Sequence, residues 1–95
     1  MTDYVSKKLK DMLIALGPDY EIKKIDGENC IYRKIDSHYE IEIIGLNNPE
    51  RTFSCSVYLR DLRLSNTGLI VERLQANSID QVKYFLEQIL KTDRS

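Results

Sequence analysis

The chain has 95 residues, and its 14 Lys and Arg against 15 Asp and Glu leave a net charge of −1. This length suits one modest hydrophobic core, and the even charge lacks the cationic excess with which proteins that grip duplex nucleic acid neutralise phosphates. Ile, Leu, Val, Phe and Tyr are spread along the whole chain, which argues against disorder.

The first predicted element is a helix from Thr2 to Leu16. Val5, Leu9, Met12, Leu13 and Leu16 form its apolar stripe, Thr2 or Asp3 supplies the cap, and Gly17-Pro18 ends it. Its longest apolar run, Met12 to Leu16, is too short for a secretory leader core or a membrane span, so a cytoplasmic protein with no membrane partner is expected.

From Tyr20 the pattern changes from helical to alternating. Strands are expected at Tyr20–Ile25, Cys30–Ile35, Tyr39–Leu46 and Thr52–Arg60, with a fifth at Leu69–Leu74. Asp26-Gly27 is a tight hairpin signal, because a primed turn needs positive φ. Asn47-Asn48-Pro49-Glu50-Arg51 reads as a loop and Ser65-Asn66-Thr67-Gly68 as a turn. After Leu59 the apolar phase slips to Leu62 and Leu64, which predicts a β-bulge near Arg60-Asp61. A final helix starts at Ser78 with Gln81 at capping-box spacing and carries Ile79, Val82, Phe85, Leu86, Ile89 and Leu90 on one side.

Strand pairing can be tested on the sequence. If the second and third strands turn at Asp36-Ser37-His38, Ile31 faces Ile43, Arg33 faces Ile41, Tyr32 faces Glu42 and Lys34 faces Glu40. If Gly45 lies near Phe53, Ile43 faces Cys55 and Ile41 faces Val57, so the same face stays apolar across the meander. The expected fold is therefore α+β in two layers: an N-terminal helix, an antiparallel meander of four to five strands and a C-terminal helix. Both helices pack on one face of the sheet, in a single domain spanning residues 1–95. Arg33, on the apolar face, is expected to snorkel or to meet Asp3 or Glu21.

No motif announces chemistry. Cys30 and Cys55 lack CxxC spacing or a neighbouring histidine, so reduced structural thiols are expected, with no metal and no cofactor. Cys30 is placed nearer the surface than Cys55. Glu40 and Glu42 lie on one strand face, about 6.5–7 Å apart by strand rise. That spacing suits a carboxylate pair, with the lone His38 near by, but opposite Lys34 on an open face the two read as solubilising charges. Tyr32, Lys34, Tyr58 and Arg60 add an aromatic and basic set to the same outer face, as used by single-stranded nucleic-acid binders.

The helix–strands–helix order resembles the double-stranded RNA-binding domain. That family has three strands and a basic cluster opening its second helix, where this chain reads Ser78-Ile79-Asp80-Gln81. None of its residues is therefore carried over. The sequence leaves a non-enzymatic protein-interaction module of accessory, adaptor or immunity type as the expectation, its partner another protein or a second copy of itself. Tyr32, Lys34, Glu40, Glu42, Tyr58 and Arg60 are its candidate partner-binding residues. The alternatives are single-stranded nucleic-acid binding on the outer sheet face and an enzyme using Glu40, Glu42 and His38.

Overall fold

The computed structural model describes residues 4–63 and 68–92. Helix α1 (Lys7–Leu16) is followed by strands β1 (Glu21–Ile25), β2 (Glu28–Lys34), β3 (Tyr39–Ile44), β4 (Cys55–Asp61) and β5 (Leu69–Ala76), then helix α2 (Ile79–Lys91). The strands form one antiparallel sheet in sequence order, β1 to β5, so the fifth strand completes the meander.

The helix stripes face the sheet. Leu9 and Met12 of α1, with Val82, Leu86 and Ile89 of α2, share a core with Ile31, Ile41, Ile43, Val57 and Leu59. Both helices therefore cover the same sheet face, as a pair of amphipathic helices and one apolar surface require. Arg33, at the margin of that face, finds its carboxylate in Asp19 and not in Glu21, while Asp3 lies outside the described residues. Its NH1 lies 3.9 Å from Asp19 Oδ2 and its guanidinium 5.3 Å from the Tyr20 ring, so the turn before β1 supplies its partners.

α1 is capped by Ser6 rather than Thr2 or Asp3, which lie outside the described residues. Ser6 Oγ accepts the Leu9 N–H at 3.1 Å and donates to the Leu46 carbonyl at 2.6 Å, while Asn47 Oδ1 accepts the Ser6 N–H at 2.8 Å. One buried hydroxyl thus ends the helix and ties it to the loop between β3 and β4. Ser6→Ala is expected to cost about 1–2 kcal/mol, measured by urea unfolding, because it removes a cap and one of two bonds to the buried Leu46 carbonyl, which keeps only the Asn48 N–H at 2.9 Å. A change within about 0.3 kcal/mol would show that water replaces both bonds.

That loop also corrects the pairing of β3 with β4. Leu46 leaves the strand and is buried, and Gly45 turns the chain at φ +98°, where a Cβ would stand 3.3 Å from the Ser54 carbonyl oxygen. β4 begins at Cys55, so Ile43 faces Val57, Ile41 faces Leu59 and Tyr39 faces Asp61. The register differs by two residues from the expected one. A shift of two keeps every side chain on its face, which is why the face assignment survives. The register of β2 with β3 matches expectation, with Arg33 opposite Ile41 and Lys34 opposite Glu40, and across the first hairpin Ile22 stands opposite Ile31. Asp26 at φ +52° and Gly27 at φ +80° make the primed turn between β1 and β2.

The register shift falls between Leu59 and Arg60, close to the expected place, but the extra residue belongs to β5 and not to β4. Leu59 faces Glu72 and Arg60 faces Ile70, which leaves Val71 as the extra residue. Leu64, half of the phase argument, lies outside the described residues, as do Ser65, Asn66 and Thr67 of the expected turn. At α2, Ser78 Oγ accepts the Gln81 N–H at 3.1 Å, but Gln81 Oε1 reaches back one residue further than a capping box, to the Asn77 N–H at 2.6 Å.

A candidate binding hollow on the outer sheet face

Alternation puts Tyr32 and Lys34 of β2, Glu40 and Glu42 of β3, and Tyr58 and Arg60 of β4 on the face away from the helices. Pairing arranges them in two rows across the sheet: Lys34, Glu40, Arg60, and then Tyr32, Glu42, Tyr58, Arg73. All six candidate residues are thus neighbours, and Arg73 of β5 joins them. Antiparallel sheets usually leave such a face flat and solvated. Here it carries an open hollow of about 560 Å³, lined by Lys23, Lys24, Ile25 and Asp26 from the β1–β2 hairpin, by Tyr32, Lys34, Glu40 and Glu42, and by Arg60 and Leu62. Sheet twist and coil let residues of the hairpin and of the end of β4 line the same hollow as the middle strand.

The hollow overturns the reading of Glu40 and Glu42 as solvated charges. They are only 9% and 6% exposed, walled in by the hairpin on one side and by Arg60 on the other. Burial holds the Glu42 carboxyl above the ordinary carboxylate range, against the pull of Arg60 and with a further push from Glu40. Arg60 Nε lies 3.1 Å from Glu42 Oε1 and is itself buried, yet it makes no well-aligned hydrogen bond. The contact is a Coulombic pair, and Arg60 NH1 reaches the Gly68 carbonyl at 3.4 Å. The Tyr32 hydroxyl is pushed up to about 12, first by burial and then by its hydrogen bond to Glu40.

The tyrosine rings do not form an open platform. Lys23 Nζ sits 4.1 Å from the centre of the Tyr32 ring. Tyr58 is buried, with the guanidiniums of Arg73 and Arg60 at 5.1 and 5.9 Å from its ring centre. Such cation–π contacts place the rings' electron-rich faces in use.

The remaining candidates lie elsewhere. His38 is exposed in the β2–β3 turn, where its N–H bonds Asp36 Oδ1 at 2.7 Å, and it does not line the hollow. Cys30 is on the outer face yet fully buried, which corrects its expected position nearer the surface; Cys55 is buried on the helix side. Burial pushes both thiols up to about 11, so neither is a ready nucleophile. Sequence reasoning missed Lys23, Lys24, Asp26, Leu62 and Arg73. Lys23-Lys24 breaks the alternation of β1, which was a visible signal, but only the curl of the hairpin shows that the break faces the hollow.

Comparison of the chain with family models, with curated proteins and with solved structures returned no match. Among the described residues no helix is long and apolar enough to cross a membrane.

Proposed function

We propose that this chain is a non-enzymatic accessory or adaptor module of immunity type, working in the cytoplasm, that binds a partner protein through the outer sheet face. The observation that carries this reading is the convergence of Tyr32, Lys34, Glu40, Glu42 and Arg60 on one concave surface, with Tyr58 buried beside them against Arg60, so that the side chains already brace one another. Tyrosine and arginine are the residues from which interface hot spots are built, and bracing reduces the entropy lost on docking. Lys23 and Lys34 are exposed at the rim while the carboxylates lie on the floor, engaged by Arg60 and Tyr32. This arrangement favours a partner that presents acidic side chains to the rim.

Single-stranded nucleic acid is the weaker reading, because a base needs a free ring face to stack on and the floor carboxylates repel phosphate. The enzyme reading gains a concave site, but Glu42 and Glu40 are engaged by Arg60 and Tyr32 and His38 lies outside.

The test is affinity capture from the source cells with tagged protein, with and without nuclease, comparing the native chain with Tyr32→Ser/Lys34→Glu. A nuclease-resistant protein held in stoichiometric amount by the native chain is expected, and the variant should retain at least tenfold less. Equal retention by the two chains would remove the outer face from the interface. Material lost on nuclease treatment would move the assignment to nucleic acid.

A further inference from the structure

The two edges of the sheet are built differently. The β1 edge carries Glu21, Lys23 and Lys24 in five residues, all exposed, which is the usual protection of an edge against another strand. The β5 edge is eight residues long, and no described strand pairs with its outer side. It opens with Leu69, Ile70 and Val71, which are 49%, 44% and 53% exposed. The bulge at Val71 is the one defence along this stretch, which holds no charge and no proline. By register, Ile70 shares the outer face with Arg60, whereas Leu69 lies with Asp61 on the face that the helices cover elsewhere. The apolar triplet therefore shows on both faces of the sheet at a corner that the helical layer leaves bare.

We propose that this edge pairs with the β5 edge of a second copy of the chain, antiparallel about a two-fold axis at Ile70. Two-fold pairing of a strand with itself sets one residue opposite its own copy, and the exposed apolar triplet together with the charges of β5 selects it. An axis at Glu72 or Arg73 would put like charges face to face, which destabilises a pair. An axis at Val71 would set Ile70 against Glu72 and Leu69 against Arg73. An axis at Ile70 sets Ile70 against Ile70 and Leu69 against Val71 twice, so apolar meets apolar at every position of the triplet. The axis is perpendicular to the sheet, so the outer face continues from one copy to the other and both hollows open on the same side. This edge is a different surface from the hollow, and pairing along it is independent of what the hollow binds.

Sedimentation equilibrium of the full chain over a concentration range tests the proposal. The average mass is expected to rise from 11.1 kDa towards twice that value. Ile70→Lys should weaken the association at least tenfold with an unchanged circular dichroism spectrum. Mild oxidation of Ile70→Cys should give a covalent dimer, because directly facing residues bring Cβ atoms to about 4.5–5.5 Å. Arg73→Cys should not, since its mate would stand about 20 Å away by strand rise. The buried native thiols Cys30 and Cys55 stay out of this reaction. A mass of 11.1 kDa at every concentration up to about 1 mM, a dimer that survives Ile70→Lys, or equal crosslinking at positions 70 and 73 would each overturn it.

Discussion

Ile41→Ala is expected to lower the free energy of unfolding by about 3–4 kcal/mol, read by urea denaturation at neutral pH. Ile41 sits in β3, the middle strand, opposite Arg33 on β2 and Leu59 on β4. It has no exposed surface and belongs to the cluster that both helices cover. Removing its outer carbons leaves a cavity between two layers that cannot close without moving the sheet or a helix. Domains of this size are stable by about 5–15 kcal/mol, so the loss is a large share of the whole. Ile41→Val should cost about 1 kcal/mol. Ile14→Ala, at a helix position that is 80% exposed, should stay within about 0.5 kcal/mol. A loss at Ile41 no greater than at Ile14 would mean that the layers are not packed as described.

Arg60→Met is expected to cost about 2–3 kcal/mol at pH 7, and the cost should shrink as the pH falls. The buried Glu42 carboxylate loses the cation 3.1 Å away, and breaking a buried ion pair from one side is more damaging than never having formed it. The magnitude sits below that of a fully buried pair because the Arg60 side chain is 23% exposed. The sign follows from linkage. Glu42 is already raised in the folded protein, so its proton is held more tightly folded than unfolded. This contribution is full below the ordinary value of 4.5 and is lost as pH rises through the folded value. Removing Arg60 raises the folded value further. The variant's deficit is therefore greatest at pH 7 and least near pH 4, where Glu42 carries its proton. Adding Glu42→Gln to Arg60→Met should recover part of the loss, because no buried charge is then left unpaired. A deficit that is the same at pH 7 and pH 4 would show that Arg60 acts by packing on Tyr58 and not through Glu42.

Local periodicity determined much of this protein by itself. Steps of three and four marked α1 and α2, alternation marked the strands, and Asp26-Gly27 marked a turn whose two positive φ angles few other pairs tolerate. Because strand side chains alternate with period two, the sequence also determined which residues share a face, and so listed the six outer-face candidates together. It erred by two residues in the register of β4, because the loop around Leu46 is held by bonds to Ser6 and Lys8 some 40 residues away in the chain. It chose the wrong cap for α1 for the same reason, since Ser6 is favoured by its bond to that loop. Only the tertiary structure decided that the outer face is hollow and not flat. Twist, coil and the Val71 bulge set the shape of a sheet, and these arise from many residues acting together rather than from any local pattern. That shape turned Glu40 and Glu42 from solvated charges into buried ones, brought Lys23 and Lys24 round to face them, and left Leu69, Ile70 and Val71 uncovered at the far edge.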